Sequence, residues 1–501
     1  MKKKQLRWTL WTIASPFILF IILCILIYLP PIQNFLVDKA AVYASEATGM
    51  NISVGRISLS FPLNLVVTNV DAASPHNDTL LSVRRLQVNV QLLPLLKKQV
   101  EVDGISLQGA TVNSNDLIHG MKLNGTLGEL FISSHGVALD PETAIVNKVL
   151  LKDTDLSLCL NDTAAADTAA SDTTYWKIIL QDIDLQNVSF ALDMPLDSLS
   201  LAASLDNAIL RDGLIDLHKS AYSLQTFRIE NGRVRYDNGK PLAADSLSSG
   251  LDPSHIALTD IGVKLDSLYY GGRNMKAIIS QFVLKERSGV EIVSATGRMV
   301  SNDKVLRVPS LKLETRDSYL ELNAAMDWNA LDFKDEGLVS ARLMADIGKP
   351  DVVRFMGSMD EKFIRQYPSE PLRIRTGIDG DLNKLKLTTL TAELPGALGL
   401  FARGELTHLT DSLLRGGDIT LEAETKDLKF VSTLAEGIEI PYGTRLEGKF
   451  TMAGTKMGTD LLLMQPEAQA VVAADTIPIT VYNDSISVAD DFKMERAARL
   501  F

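Results

Sequence analysis

The sequence predicts a mainly β protein: an elongated, curled, antiparallel-rich repeat sheet with an open hydrophobic groove, an N-terminal transmembrane helix and short accessory helices. Three observations predict it. Apolar residues recur with period two through most of the chain after Gly49, such stretches repeat, and a single long uncharged apolar run stands near the start. The 501 residues are 46% apolar and 22% charged, which supplies enough Leu, Ile and Val to exclude disorder as the main state. Two cysteines exclude a disulfide scaffold, and one apolar run excludes a polytopic membrane protein.

Residues 1–7 form a basic start. Lys2, Lys3, Lys4 and Arg7 precede any acid, so a net charge of −12 leaves −16 on the remainder. From Trp8 to Val37 no residue is charged, and residues 8–31 read as a transmembrane anchor. Its hydrocarbon body is Leu10, Ile13, Phe17, Leu19, Phe20, Ile22, Leu23, Ile25, Leu26 and Leu29. A helix from Leu10 to Leu29 spans a bilayer core of about 30 Å. Trp8, Trp11 and Tyr28 suit its interfaces, and Pro30 and Pro31 stop it. The run is too long for a cleaved signal peptide, and the nearest small-x-small site, Val42-Tyr43-Ala44, lies well beyond it. Leu23 before Cys24 argues against a lipoprotein site. The excess of Lys and Arg before the span places the N-terminus in the cytoplasm and the bulk of the chain outside. That acidic bulk offers no basic face for nucleic acid.

Residues 32–49 read as a juxtamembrane helix, with Ile32, Phe35, Leu36, Ala40 and Tyr43 spaced by threes and fours and Gly49 as its cap. A β region over 50–296 follows. Val100-x-Val102-x-x-Ile105-x-Leu107-x-x-Ala110-x-Val112 sets a template, which Ile178-x-Leu180-x-x-Ile183-x-Leu185-x-x-Val188-x-Phe190 matches. Tyr222-x-Leu224-x-x-Phe227-x-Ile229 matches it again. Each two-residue step shifts the alternation by one, so a bulge, kink or short turn must absorb it if one face is to stay apolar. Residues 161–174, NDTAAADTAASDTT, read as a low-complexity loop.

A second β-repeat region spans 297–501. Gly380 opens a unit in which Leu385, Leu387 and Leu390 precede a turn at Pro395-Gly396 and Leu398, Leu400 and Leu406 follow. Gly297 and Gly448 open looser relatives. Within this region 351–367 reads as one helix with Val352, Phe355, Met356, Met359 and Phe363 on a single face. It suits a cap packed on the sheet, or a plug over an apolar channel.

No catalytic reading emerges, and the chain is expected not to be an enzyme and to need no cofactor. His76, His119, His135, His218, His255 and His408 form no metal-ligand spacing, and Asp153/Asp155 and Asp182/Asp184 alternate with apolar residues as on the polar face of a strand. Apolar strand faces are many, while aromatic residues make up only 6% of the chain and helices to cover the sheet are few. A curled single sheet would therefore leave an apolar trough, for which an acyl chain is the natural ligand. Candidate lining positions are Val100, Val102, Ile105, Leu107, Ile178, Leu180, Ile183, Leu185, Phe190, Leu224, Phe227 and Ile229. The same residues equally suit an ordinary sheet core.

The order of segments resembles the AsmA-like superfamily, in particular the N-terminal part of the translocation and assembly module TamB. The resemblance rests on the anchor, on ATGMNISVGRISLSFPLNLVVTNV, and on LLSVRRLQVNVQLLPLLKKQVEVDGISLQGATV with its Leu93-Pro94-Leu95-Leu96 step. It implies a single-pass inner-membrane protein with its bulk in the periplasm of a didermic bacterium, similar to bridge-like lipid transfer proteins. It also implies membrane phospholipids as partners and a place in outer-membrane biogenesis. Long members end in a domain that engages an outer-membrane barrel protein of the assembly machinery. No such region is read before MERAARLF, so the chain reads as a short member or a fragment. Some 20–25 strands at about 4.8 Å each would extend roughly 100–120 Å, which suits a lipid conduit. The rival expectation is a scaffold or chaperone for outer-membrane protein translocation and assembly, offering strand edges to clients.

Overall fold

The structure, a computed structural model, describes residues 39, 41–42, 45–46, 48–60, 64–74, 78–91, 102–114, 120–138, 142–161, 175–239, 250–334, 337–356, 361–433, 442–464, 471–473, 477–482 and 485–488. The anchor expected at 8–31 and nearly all of the loop expected at 161–174 lie outside them. Among the described residues no helix is long and apolar enough to cross a membrane. The chain divides into two compact units, Met1–Lys240 and Pro241–Phe501, a division that falls inside the β region read as 50–296.

In the first unit, the described residues of 39–48 are helical, and Gly49 ends that helix at φ 69° with its N–H on the Ser45 carbonyl (2.9 Å). The Ser45 hydroxyl accepts the Ile52 N–H (3.0 Å), tying the helix to the first strand. The strands are β1 (Asn51–Ser60), β2 (Asn64–Ala73), β3 (Thr79–Val90), β4 (Val102–Asn113), β5 (Met121–Ala138), β6 (Thr143–Leu160), β7 (Lys177–Met194), β8 (Leu199–Asp216), β9 (Ala221–Leu224) and β10 (Thr226–Asp237). They pair in sequence order from β1 to β8, and β8 then pairs with both β9 and β10. Every one of these pairs is antiparallel except β6–β7, which is parallel.

The two-residue steps read from the sequence become a crease across this whole sheet and a second, shorter one at Asn147, Gln181 and Asp212 of β6 to β8. Between Val54 and Arg56 in β1, and at the same level in each following strand, the register skips one position. The skipped residues are Gly55, Asn69, Arg84, Gly109, Gly128, Asp153 and Asn187 from β1 to β7. Asp206 in β8 and Asn231 in β10 continue the line. Asn69, Gly109, Asp153, Asn187 and Asn231 take left-handed φ values of 50–60°, and all are Gly, Asn or Asp, the residues that tolerate that region best. Their side chains also bond along the line. Asn187 Nδ2 donates to Asp153 Oδ1 (2.9 Å), and Asn231 Nδ2 donates to Asp206 Oδ2. Each strand thereby changes phase at the shared level, and β6 to β8 do so a second time, so the apolar residues remain on one face.

In the second unit, β11 (His255–Gly271), β12 (Asn274–Glu286), β13 (Glu291–Ser301), β14 (Val305–Thr315), β15 (Tyr319–Asp327), β16 (Leu338–Ile347), β17 (Leu372–Asp381), β18 (Lys384–Leu394), β19 (Leu398–Thr407), β20 (Gly416–Thr425), β21 (Arg445–Ala453) and β22 (Lys456–Met464) form an antiparallel meander. β22 pairs further with β23 (Val471–Ala473) and β24 (Ile477–Tyr482), and β24 with β25 (Ser485–Val488). The Pro395-Gly396 turn forms as expected: Leu394 pairs with Leu398, and Gly396 has φ 81°.

Two expectations need correction here. Gly297, Gly380 and Gly448 lie inside β13, β17 and β21 and do not open them. The requirement for glycine is close backbone approach. At Gly404 in β19 a Cβ would strike the Asp418 carbonyl oxygen and Ile419 Cα of β20. Gly404→Ala is therefore expected to destabilise the second unit by about 1–3 kcal/mol in a urea titration. An unchanged midpoint would show that the strands part without cost.

The single helix expected at 351–367 is two helices, α2 (Lys349–Phe355) and α3 (Glu361–Gln366), following a one-turn α1 (Trp328–Leu331). Pro350 sits in the first turn of α2, where its missing N–H costs nothing. Gly357 and Ser358, poor helix formers, directly follow the end of α2 at Met356. The split breaks the expected face. Phe355 and Met356 are exposed, while Phe363 is buried with Tyr367, Leu394, Ala397, Leu428 and Phe430, and Val352 packs against that cluster. The rings of Phe363, Tyr367 and Phe430 meet at 5.2–5.8 Å. Burial pushes the Tyr367 phenol above its ordinary pKa. The helices thus cap one end of β17–β19.

Candidate functional site

The cross-strand register of the first unit assembles an unbroken apolar row. Ile57, Val67, Leu86, Leu107, Leu130, Leu151, Leu185, Ala208 and Ile229 face one another in turn from β1 to β10. Two residues along each strand, and so on the same face, runs a second row: Leu59, Leu65, Val88, Ile105, Ile132, Val149, Ile183, Leu210 and Phe227. Beyond the crease the face continues through Ile52, Ala72, Leu81, Val112, Gly125, Leu156, Phe190, Ala203 and Val234. One step out of phase lies the opposite face, where Arg56, Thr68, Arg85, Gln108, Glu129, Lys152, Gln186, Asn207 and Glu230 make a wholly polar row.

This apolar face is not closed against a second layer among the described residues. Of the nine residues in the first row only Ala208 is buried, the rest being half-buried, and Phe190 is 39% exposed. In a sandwich the inner-facing Leu and Ile would be fully covered. Nine strands at about 4.8 Å, over seven residues of rise from Ile183 to Phe190, give a patch on the order of 900 Å². Monomeric proteins rarely leave more than a few hundred Å² of contiguous apolar surface exposed without a use for it.

Of the twelve candidate lining positions, Ile105, Leu107, Ile183, Leu185, Phe190, Phe227 and Ile229 fall in these three rows. Ile178 and Leu180 continue the face toward the start of β7, where Ile178 lies between Ala144 and Ile215 and Leu180 lies between Val146 and Gly213. Leu224 ends β9, and its neighbours Tyr222 and Ser223 pair with Ile215 and Leu214. Val102 opens β4. Val100 lies outside the described residues. Sequence reading missed Ile57, Val67, Leu86, Leu130, Leu151 and Ala208 of the first row. The first five carried a signal in their alternation, but Ala208 is too small to stand out and is placed only by its partners Leu185 and Ile229.

The polar face is held by ion pairs and hydrogen bonds. Arg211 pairs with Asp182 and with Asp184 (2.9 Å), and its Nη1 donates to the Ile183 and Leu210 carbonyls, both at 3.1 Å. The second unit repeats this clamp. Arg375 pairs with Asp346 (2.7 Å), and its Nη1 donates to the Ala345 and Ile374 carbonyls (2.8 and 2.9 Å). Its apolar rows repeat too: Leu313, Leu320, Ala345, Ile374, Ala392, Leu400, Ala423, Leu446 and Leu463 face one another from β14 to β22.

The histidine with the strongest chemical surroundings is structural in character. His255 is 5% exposed, and its Nδ1 lies 2.8 Å from Asp252 Oδ2. The hydrogen bond from His255, followed by that from the Ser254 N–H (2.9 Å), holds the Asp252 carboxyl below its ordinary pKa of 3.8. A depressed carboxylate stabilises the fold above its unfolded pKa and loses that contribution as pH falls through the lower folded value. The stability of the second unit is thus expected to decline as pH drops below about 4, and Asp252→Asn to remove part of that decline. Urea midpoints that fall equally in both proteins between pH 5 and pH 3 would contradict this. Among the described residues no group of three or more His, Cys, Asp or Glu is placed to hold a metal ion.

Comparison with known proteins adds no relative: no family model, no curated protein and no solved structure matches the chain.

Proposed function

We propose that the protein is an inner-membrane-anchored periplasmic carrier that moves phospholipids along the apolar face of its β sheet, in support of outer-membrane biogenesis. The observation that carries this reading is the continuous apolar face over nine strands of the first unit, backed by a polar face and covered by no second layer among the described residues. Acyl chains lie against the Leu and Ile rows, and headgroups stay in water. Burial of a CH₂ is worth about 0.8 kcal/mol, and successive rows of similar side chains offer near-equivalent positions, so a lipid is retained yet can slide. The anchor read at 8–31 supplies the membrane from which lipid enters. The resemblance to AsmA-like proteins points to the same role. No group on this face needs to do covalent chemistry.

The register provides the test. A photo-crosslinking amino acid at position 185, in full-length protein expressed in a didermic bacterium, is expected to capture phospholipid. The same amino acid at position 186, one residue along but on the polar face, is not. Equal labelling at the two positions, or none at 185, would overturn the reading.

A further inference from the structure

The two most exposed large apolar side chains among the described residues are Leu413 (80%) and Phe333 (77%), and Leu414, next to the first, is 64% exposed, behind Tyr442 (72%) and level with Leu196. They belong to loops at one end of the second unit's sheet. Phe333 follows α1 in the β15–β16 connection, and Leu413 and Leu414 lie in the β19–β20 connection. Both loops leave one small cluster, in which Ala330, Val339 and Leu382 are buried and Leu409 packs against them. Met326, Ile378 and Leu385 of the sheet's own apolar rows join it, so the sheet's apolar face runs up to the loops.

Both loops are built to hold these side chains outward. Phe333 has a left-handed φ of 55°, which a bulky residue adopts only under constraint. The constraint is hydrogen bonding: Phe333 N–H donates to the Ala330 carbonyl (3.1 Å), and Lys334 N–H to that of Asn329 (2.7 Å). In the other loop Asp411 Oδ1 accepts the N–H groups of Leu413 (2.8 Å) and Leu414 (3.2 Å), and the Asp411 carbonyl accepts that of Arg415 (2.8 Å). Ordinary surface loops carry polar tips, and a strained, hydrogen-bonded turn that presents Phe or Leu-Leu to water calls for an apolar partner.

We infer that these two loops insert Phe333, Leu413 and Leu414 into the interfacial layer of a lipid bilayer. At roughly 150 Å² each the three side chains offer about 450 Å², well short of the ~800 Å² per partner that a stable protein interface buries. Insertion into a fluid interface needs no matching surface and scales only with apolar area. The charges beside the tips carry no basic excess: Lys334 and Arg415 stand against Asp332, Asp335, Glu336 and Asp411, so attachment is apolar and not an attraction to anionic headgroups. This inference does not depend on the apolar face carrying lipid, and the crosslinking test at position 185 fails or succeeds separately from it.

The test holds full-length protein in nanodiscs by its own anchor and floats it with added vesicles of phosphatidylcholine, or of phosphatidylcholine mixed with phosphatidylglycerol. Capture of both vesicle types, little affected by salt, is expected. Replacing Leu413, Leu414 and Phe333 together by Ser is expected to reduce capture by on the order of tenfold or more, with an unchanged unfolding midpoint. A second variant, Leu413→Ser alone, keeps the proposal testable if the triple variant misfolds, and is expected to show a smaller loss. Wild-type protein that captures no vesicles, a triple variant that captures them as well as wild type, capture confined to anionic vesicles at low salt, or wild-type nanodiscs that pair through this end in the absence of vesicles would each overturn it.

Discussion

Leu185→Asp is expected to strip bound phospholipid from the protein while leaving it folded. Leu185 sits mid-row between Leu151 and Ala208, on a face where its side chain is only half-buried. A carboxylate there keeps contact with water in the lipid-free protein, so the folding cost falls well below that of a charge in a closed core. For a lipid the position is different. An acyl chain crossing the row must desolvate the charge or detour around it, and either removes the equivalence of neighbouring positions on which sliding depends. Phospholipid per protein, measured by extraction and mass spectrometry, is expected to fall several-fold, with the circular dichroism spectrum preserved. Gln186→Asp, on the polar face, serves as the control and is expected to change neither. Retention of lipid by Leu185→Asp at the wild-type level would remove the apolar row from the transport path.

Asp351→Ala is expected to cost the second unit about 3 kcal/mol. Asp351 is 1% exposed and joins α2 to the turn between β14 and β15. Its Oδ2 accepts from the Thr315 hydroxyl and from Ser318 Oγ (2.6 Å), and its Oδ1 lies 3.0 Å from Arg354 Nη1. Arg354 also pairs with Asp317 at 2.9 Å, so its charge keeps one partner after the substitution, whereas Ser318 Oγ loses its Asp351 acceptor and the Thr315 hydroxyl falls back on the Ser318 carbonyl at 3.4 Å. Urea unfolding of the full chain, with hydrogen exchange read over 349–356, measures the loss. A change under about 0.5 kcal/mol, the scatter expected of a surface substitution, would show that α2 is held by Val352 and not by this cluster.

Much of the first unit was legible in its sequence, because one rule governs it. The steps Leu107-x-x-Ala110 and Leu185-x-x-Val188 announced a phase change, and Gly109 and Asn187 inside them are residues suited to the left-handed backbone that delivers it. What a single strand does not reveal is its neighbour. That Leu107 faces Leu86 and Leu130, and that β6 and β7 run parallel, follow from chain-wide packing. The same limit explains the glycines. Gly404 looked like punctuation in a repeat, but its need arises from the backbone of β20, remote in local pattern. The helix at 351–367 was read as one because Val352, Phe355, Met356 and Phe363 keep helical spacing, and spacing alone does not tell that Phe355 and Met356 stay exposed while Phe363 is buried. The outward-facing Phe333 and Leu413 were invisible, since an isolated Leu or Phe in a loop looks the same whether it turns inward or outward.

The crease also constrains how such a chain can change over generations. Losing or gaining one residue within a single strand would slide half of that strand to the opposite phase, setting Asp or Gln among the leucines and leaucing no neighbour able to compensate alone. Segment lengths on either side of the crease are therefore locked together across nine strands, while the loops beyond the strand ends are free of that lock. Lineages of this architecture should vary by adding or removing whole strands, each carrying its own off-register residue at the shared level, so that the protein lengthens in discrete, hairpin-sized increments.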